Sequence, residues 1–450
     1  MIKKIIKQGT GSGNLHSLLG NMIFATFSFV TFFIMVRTLD KAMFGQWVLF
    51  VTMASLLDMF RLGLTGTAAI RLISRAKPEK IKRIGASSYK LGAYATLVIS
   101  ILLFTGYYFA HRIYPDSYYL PILLFYPLLA LVNLPFHQAN IVAQGKVNFK
   151  RVMKLRIING VFILFFVTGY ILFSNATVQG VIIVYIIANL LSSCITIIAG
   201  WDELKHFRKA DKKTIRSILH FGKYSTASFV GSSLLRSSDT IILSLAPFLG
   251  AEAIAIYAVP LKFAEAVEIP LRSFTATAFP RLSQSLKKGN QYFKSMLFSY
   301  TFWSTTILLP AVLALSLFPS FFLQFIGGAQ YADSLPTQTS ILYIICFYIL
   351  ILPLDRYSGV ALFALDKPKL NFYKIFIMLV ANIIFDCIAV FVFNSLLYVA
   401  FATLIFTILG IFLGWNMLFR ETEIKYYPGF IADQMEKYRL IVKQTFKSVS

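Results

Sequence analysis

The sequence predicts an all-α integral membrane protein of twelve transmembrane helices in two six-helix lobes. Three observations carry that prediction: apolar windows recur along all 450 residues, charged residues are scarce, and basic residues gather in alternate connections. The chain is 57% hydrophobic and 14% charged, with mean hydropathy +0.71. Soluble chains carry about 25% charged residues. The net charge of +24 would by itself suit nucleic acid, but the positions of the bases assign them to membrane topology.

A helix needs about 20 apolar residues to cross a bilayer. Such windows fall near 15–37, 46–68, 88–111, 119–142, 155–173 and 178–199, before the polar break "WDELKHFRKADKKTIRSILHFGK". Six more follow near 224–246, 253–275, 296–318, 338–360, 373–393 and 396–418. The basic leader "MIKKIIKQGTGSGN" precedes an apolar run too long for a cleaved signal, so 15–37 reads as a retained span. Twelve spans put both termini on one side. With that side cytoplasmic, 35 of the 43 Lys and Arg fall there, while the outer connections hold Arg37, Lys41 and Arg112. The implied organisation is an N-terminal lobe over 1–200, a basic cytoplasmic linker over 201–223, a C-terminal lobe over 224–419 and a cytoplasmic tail over 420–450. The tail segment "ADQMEKYRLIVKQTFKSV" suits either an amphipathic surface helix or a solvated end.

The halves resemble one another at an offset of 210 residues, which sets "LDKAMFGQW" on "LGAEAIAIY", Arg71 on Arg281 and Asp58 on Glu268. Six is an even number of crossings, so the repeat is parallel, a transporter plan that puts the substrate site near the midplane. Each half then carries a carboxylate in its second span.

Ionisable residues inside spans are expensive and mark function or structural pairing. The stretch "LKFAEAVEIPLRSF" holds Lys262, Glu265, Glu268 and Arg272 along one helical face, which suits a water-filled cavity. Asp58 with Arg61, and Arg236 with Asp239, are spaced to meet locally. Asp355 and Arg356 are neighbours, Asp386 lies in the eleventh span, and His137 lies in the fourth beside Gln138. The bland reading of these groups is that they pin helices together. Cys194, Cys346 and Cys387 lie singly in apolar runs without metal spacing and read as packing residues. No phosphate-binding loop string GxxxxGK[ST] occurs, and no hydrolytic constellation presents itself, so an enzyme is not expected.

The string "VRTLDKAMFGQWVLF" (36–50) resembles the end of the first span and following turn of Wzx-type polysaccharide flippases, with Arg37, Leu39, Phe44, Gly45 and Trp47 at the matching places. "LRSSDTIILSLAPFLGAEAIAIYAVPLKF" (235–263) looks like the corresponding seventh-span entry, with Ala255 where glycine is often seen. That branch belongs to the superfamily of MATE exporters and MurJ-type lipid II flippases. MurJ-type chains carry two further spans, and MATE exporters carry fewer cationic cavity residues.

The resemblance implies transfer of a polyprenyl-pyrophosphate-linked oligosaccharide, such as an O-antigen or exopolysaccharide unit, across the bacterial inner membrane. Arg61, Arg236, Lys262, Arg272 and Arg356 would then meet the pyrophosphate. Asp58, Asp239, Glu265, Glu268 and Asp386 would gate transport or couple it to H+ or Na+, with uncoupled facilitation as the alternative. No metal or other cofactor is implied. Partners would be the lipid-linked glycan, the bilayer and the polymerase and chain-length machinery, with no nucleic acid. One rival is a MATE-like ion-coupled exporter of cationic drugs. Another is a membrane glycan polymerase or ligase, against which the short outer loops speak.

Overall fold

The computed structural model describes residues 12–422 apart from 64, 75, 116, 247 and 287–288. Residues 1–11 of the basic leader and the amphipathic-tail segment lie outside the described residues. Among the described residues twelve long helices follow one another: α1 (Ser12–Thr38), α2 (Lys41–Gly63), α4 (Pro78–Ile113), α5 (Leu120–Gly145), α6 (Phe149–Phe173), α7 (Val178–Ile198), α8 (Lys212–Ser244), α9 (Gly250–Ser285), α10 (Asn290–Leu317), α12 (Leu335–Ala364), α13 (Pro368–Cys387) and α14 (Leu396–Thr422). Two short helices interrupt the order, α3 (Gly66–Ser74) and α11 (Pro319–Gly327). Among the described residues there is no strand.

Each expected window but one falls on one long helix, and among the described residues ten of the twelve long helices are apolar enough to cross a membrane. The other two, α8 and α9, are the carriers of Arg236, Asp239, Lys262, Glu265, Glu268 and Arg272. Their ionisable residues lower their apolarity without ending the helix, and α9 runs unbroken through Pro260 and Pro270. One boundary differs from the sequence reading. The window 46–68 divides, because α2 ends at Gly63 and α3 starts at Gly66. The protein is an all-α, multi-pass membrane protein.

The stretch 201–223 carries helical structure of its own. A 3-10 turn spans Leu204–Lys209, and α8 begins at Lys212. Asp211 starts that helix by accepting from the backbone N–H of Lys213 and Thr214 at 3.1 and 3.2 Å. The Thr214 hydroxyl also donates to Asp211, at 2.9 Å, and this bond holds the Asp211 carboxyl below the usual range. Before the turn, Glu203 accepts from Lys146 Nζ at 2.7 Å and has a backbone φ of 63°. Asp202 lies buried beside it, and burial pushes its carboxyl up.

The chain forms two compact units. The first comprises Met1–Lys262, Ser320–Ile341 and Asn382–Val399. In it α1 packs on α6, α4 on α5, and α7 on both α5 and α6. Gly160 on α6 faces the Phe27 ring of α1 so closely that a side chain there would overlap it. Small residues at such positions let helices approach without the help of a hydrophobic effect. The second unit comprises Phe263–Pro319, Leu342–Ala381 and Ala400–Ser450. Its core is built from Leu271, Leu282, Phe293, Leu297, Leu352, Tyr357 and Trp415, and the Trp415 indole donates to the Leu354 carbonyl at 3.1 Å.

The glycine of the "FGQW" string has a steric reason within the first unit. A Cβ on Gly45 would overlap the carbonyl group of Ala251, in the "LGAEAIAIY" string. Backbone cannot yield as a flexible side-chain tip does. Gly45→Ala should therefore lose about 1–3 kcal/mol, whereas Gly169→Ala, which meets nothing within 4 Å, should be neutral or slightly stabilising. Thermal melts of the two purified variants in one detergent check this, and equal melting temperatures would refute the close approach.

Candidate functional site

The ionisable residues of the spans sort into three clusters. In the first, Asp58 on α2 takes two bonds at Oδ1 from Arg61 one turn on, from Nη2 at 2.7 Å and Nε at 3.2 Å. Arg61 is wholly buried, and its Nη1 donates to Thr96 Oγ1 on α4 at 3.1 Å and to the Ala130 carbonyl on α5 at 2.6 Å. The Tyr126 hydroxyl donates to Asp58 at 3.0 Å, and His137 Nε2 lies 3.6 Å from Asp58 Oδ2. One guanidinium and one carboxylate thus tie α2, α4 and α5 together. An unpaired charge there would be several kcal/mol worse than a paired one. Arg61 is held inside this network rather than presented at a surface.

The second cluster centres on Glu268 of α9. Its Oε2 accepts from Arg272 Nη2 at 2.7 Å, and its Oε1 accepts from Arg356 Nη2 of α12 at 2.6 Å. Glu268 is nearly buried, while the Arg272 and Arg356 side chains keep 51% and 40% of their surface. Asp355, next to Arg356 in sequence, serves a different partner. Adjacent residues on a helix point about 100° apart. Asp355 Oδ1 accepts from Lys374 Nζ of α13 at 2.8 Å, and the same ammonium donates to Ser358 at 3.1 Å.

The third cluster brings two carboxylates together around one amide. Asp239 of α8 accepts from the Tyr257 hydroxyl of α9 at 2.7 Å. Asn382 Nδ2 of α13 donates to Asp386 Oδ2 at 2.9 Å and, more weakly, to Asp239 Oδ1 at 3.4 Å. The Ser238 hydroxyl donates to Asn382 Oδ1. Both carboxylates are buried, and Asp386 Oδ1 is buried with no hydrogen-bond partner among the described residues. Buried like charges need a shared positive charge, a proton or a cation. Among the described residues no group of three or more His, Cys, Asp and Glu forms a metal cluster.

Three further sequence candidates lie on α8 and α9. Arg236 is exposed on α8, one turn before Asp239. Lys262 is half-buried, with its Nζ 4.8 Å from the centre of the Phe32 ring, a cation–π contact. Glu265 is exposed. Along α9, Glu268 and Arg272 meet, and Lys262 lies against a ring.

Sequence reasoning missed Thr96, Tyr126, Tyr257, Asn382 and Lys374. Asn382 stands four residues before Asp386, a spacing that puts both on one helix face and could have flagged it. Lys374 lies at the very start of the 373–393 window, where a lysine reads as a solvated helix end, but α13 starts earlier, at Pro368, and Lys374 is buried. Thr96 and Tyr126 are single polar groups in apolar runs, and the sequence holds no signal for them.

The fold is shared with known membrane transporters. A multidrug resistance MATE family transporter of the MOP superfamily, in an inward-facing conformation, superposes with TM-score 0.72 over 91% of this chain and all of that one, at 13% identity. Lipid II flippase MurJ, in an inward closed conformation, matches with TM-score 0.70 over 98% of both chains, at 15% identity. A MOP superfamily transporter from Pyrococcus furiosus, described as having a binding pocket of reversed polarity, gives 0.60 over 92% of this chain and 95% of that one, at 14% identity. By sequence, no curated protein matches the chain. The model of the family described as polysaccharide biosynthesis protein matches residues 11–286, more than half of the chain. With the helical membrane fold and the charged clusters inside it, this match makes the chain a member of that polysaccharide biosynthesis family.

Proposed function

We propose that the protein is a flippase that moves a polyprenyl-pyrophosphate-linked oligosaccharide across the bacterial inner membrane by alternating access, with both termini cytoplasmic. The observation that carries this reading is the pair Arg272 and Arg356 sharing the one carboxylate of Glu268 while keeping about half of their surface. Two guanidiniums on one carboxylate leave a net positive charge and spare N–H donors. Arginine forks match phosphate oxygens in pairs, and charge-assisted bonds of this kind are the strong ones. The isoprenoid tail can stay in lipid while the pyrophosphate and sugar need such donors. Membership in a polysaccharide biosynthesis family and the shared fold with a lipid II flippase support the same substrate class. A polymerase and chain-length machinery on the far side would consume the product. The excess positive charge of the Glu268 cluster runs against a site for cationic drugs.

Coupling is assigned to the third cluster. Asp239 and Asp386, bridged by Asn382, would hold H+ or Na+, and the partnerless Asp386 oxygen is the fitting place for either. Asp58 is committed to Arg61 and serves as a helix tie with His137 as its conditional second partner.

Vesicles reconstituted with purified protein and a fluorescent polyprenyl-pyrophosphate glycan test the transport reading. The double variant Arg272→Gln/Arg356→Gln should slow flipping at least about tenfold, since each charge-assisted bond contributes about 1.5–3 kcal/mol. Glu268→Gln removes the competing anion and should tighten glycan binding, whereas a cationic-drug site would be weakened by it. Wild-type rates in the double variant would remove these arginines from the substrate path.

Coupling has a separate readout. An ion that binds the folded state alone raises its stability by mass action. Replacing choline chloride with sodium chloride should raise the melting temperature of the wild type by a few degrees, and Asp386→Asn should abolish the rise. A shift with acid instead of sodium would identify the proton as the ion. No shift in either would leave uncoupled facilitation.

A further inference from the structure

Five consecutive residues of α12, Leu354 to Ser358, each make a polar contact with another helix, and they directly follow the proline inside α12, Pro353. The Leu354 carbonyl accepts from the Trp415 indole of α14 at 3.1 Å. Asp355 offers both Oδ1 and its carbonyl to Lys374 Nζ of α13, at 2.8 and 3.1 Å. Arg356 donates to Glu268 of α9 at 2.6 Å. The Tyr357 hydroxyl meets Ser304 Oγ of α10 at 2.7 Å, and Ser358 Oγ accepts from Lys374 at 3.1 Å. About one and a half turns of α12 thus join α9, α10, α13 and α14, all within the second unit.

A proline inside a helix has no N–H to donate and interrupts the backbone ladder at its turn. The direction of the turn that follows Pro353 is therefore set by neighbouring helices as well as by the backbone of α12. Adjacent side chains on a helix diverge by about 100°, so fixing Leu354, Asp355, Tyr357 and Ser358 also fixes the side on which Arg356 emerges. The fixing contacts are sealed, because Asp355, Tyr357, Ser358, Lys374 and Trp415 are all buried. Two glycines one turn apart on α14 fit closely around them. A Cβ on Gly414 would overlap the Ser358 side chain, and one on Gly410 would overlap Met378 and stand 3.0 Å from Asp355 Oδ1. Arg356 differs in keeping 40% of its side-chain surface.

We propose that Asp355, Lys374 and Trp415 are positioning residues that lock the rotation of α12 after Pro353 and so present Arg356. They touch no substrate themselves. On the flippase reading, on which this inference rests, they hold Arg356 where it shares Glu268 with Arg272 and can pass to a pyrophosphate oxygen without α12 turning. An ion pair suits the task because its charges cancel. Lys374 and Asp355 orient Arg356 without adding to or subtracting from the positive charge it presents.

Melting-temperature cycles on the purified full chain in one detergent test the positioning. Glu268→Gln and Arg356→Gln remove the two ends of one ion pair, so together they should lower the melting temperature by clearly less than the sum of the single effects. In the background Asp355→Asn/Lys374→Met, which removes the buried pair without stranding a charge, the two effects should add. Trp415→Phe loses the indole N–H and keeps a ring; it should bring the effects part of the way toward additivity, and it carries the test if the double background fails to fold by circular dichroism. An undiminished shortfall in these backgrounds would overturn the proposal. Flipping of the fluorescent polyprenyl-pyrophosphate glycan gives a second readout. Asp355→Asn/Lys374→Met should raise KM at least about fivefold, as the weakening of one charge-assisted contact does, and should change kcat less. Leu297→Ala, a cavity in the core of the same unit, should lower the melting temperature and leave KM unchanged. A wild-type KM in the double variant would reduce the pair to a helix tie and overturn the proposal. If the wild-type protein moves no glycan, the flippase reading fails, while the melting cycles still decide whether these residues position Arg356.

Discussion

A charge in an apolar helical bundle has to be answered from another helix, and the polar architecture of this protein follows from that constraint. Removing an ion from water costs several kcal/mol even after relaxation, and one opposite charge rarely satisfies all its donors or lone pairs. Arg61 shows the full response: the nearby carboxylate is insufficient for its fork, so Thr96 and the Ala130 carbonyl take the remaining hydrogen bonds. Lys374 is treated similarly by Asp355 and Ser358. Each such group joins two or three helices at one depth, which is more specific than apolar contact among interchangeable Leu, Ile and Phe side chains.

The same constraint explains which parts of the fold were legible in the sequence. Helix number and order could be read because bilayer thickness sets window length and lipid excludes charge. The exceptions were informative too: α8 and α9 stand apart from the ten most apolar helices, and they carry six of the ionisable site candidates. The Arg61–Asp58 and Arg272–Glu268 pairs were visible as helical spacings. The Arg356–Glu268 and Lys374–Asp355 pairs were not, because they join residues 88 and 19 positions apart, and no local spacing encodes which way neighbouring helices turn. Lys374 escaped notice for a related reason. A lysine near a helix start reads as solvated until a buried carboxylate is found opposite it.

The 210-residue offset gains physical content from the two carboxylates it pairs. Asp58 lies in the second long helix of the first half and Glu268 in the second long helix of the other half. Each takes an arginine from the next turn of its own helix, Arg61 or Arg272, and each meets a nitrogen base from the fourth long helix of its half, His137 or Arg356. The shared arrangement is a carboxylate between a local and a distant base. The halves differ in the distant one. Histidine is charged conditionally, whereas arginine is charged always.

That difference decides what each cluster is able to do. With neutral His137, the Asp58 cluster is balanced, and Arg61 is fully enclosed with four of its N–H groups engaged. An incoming anion would have to break that network to reach it. The Glu268 cluster has two permanent cations on one carboxylate, and both guanidiniums retain accessible surface. An anion can add to it without first displacing Glu268, and the net charge would then move toward neutrality rather than away from it. Burial and charge count therefore separate a cluster that ties helices together from one able to exchange partners, although the two began as the same pattern in the sequence.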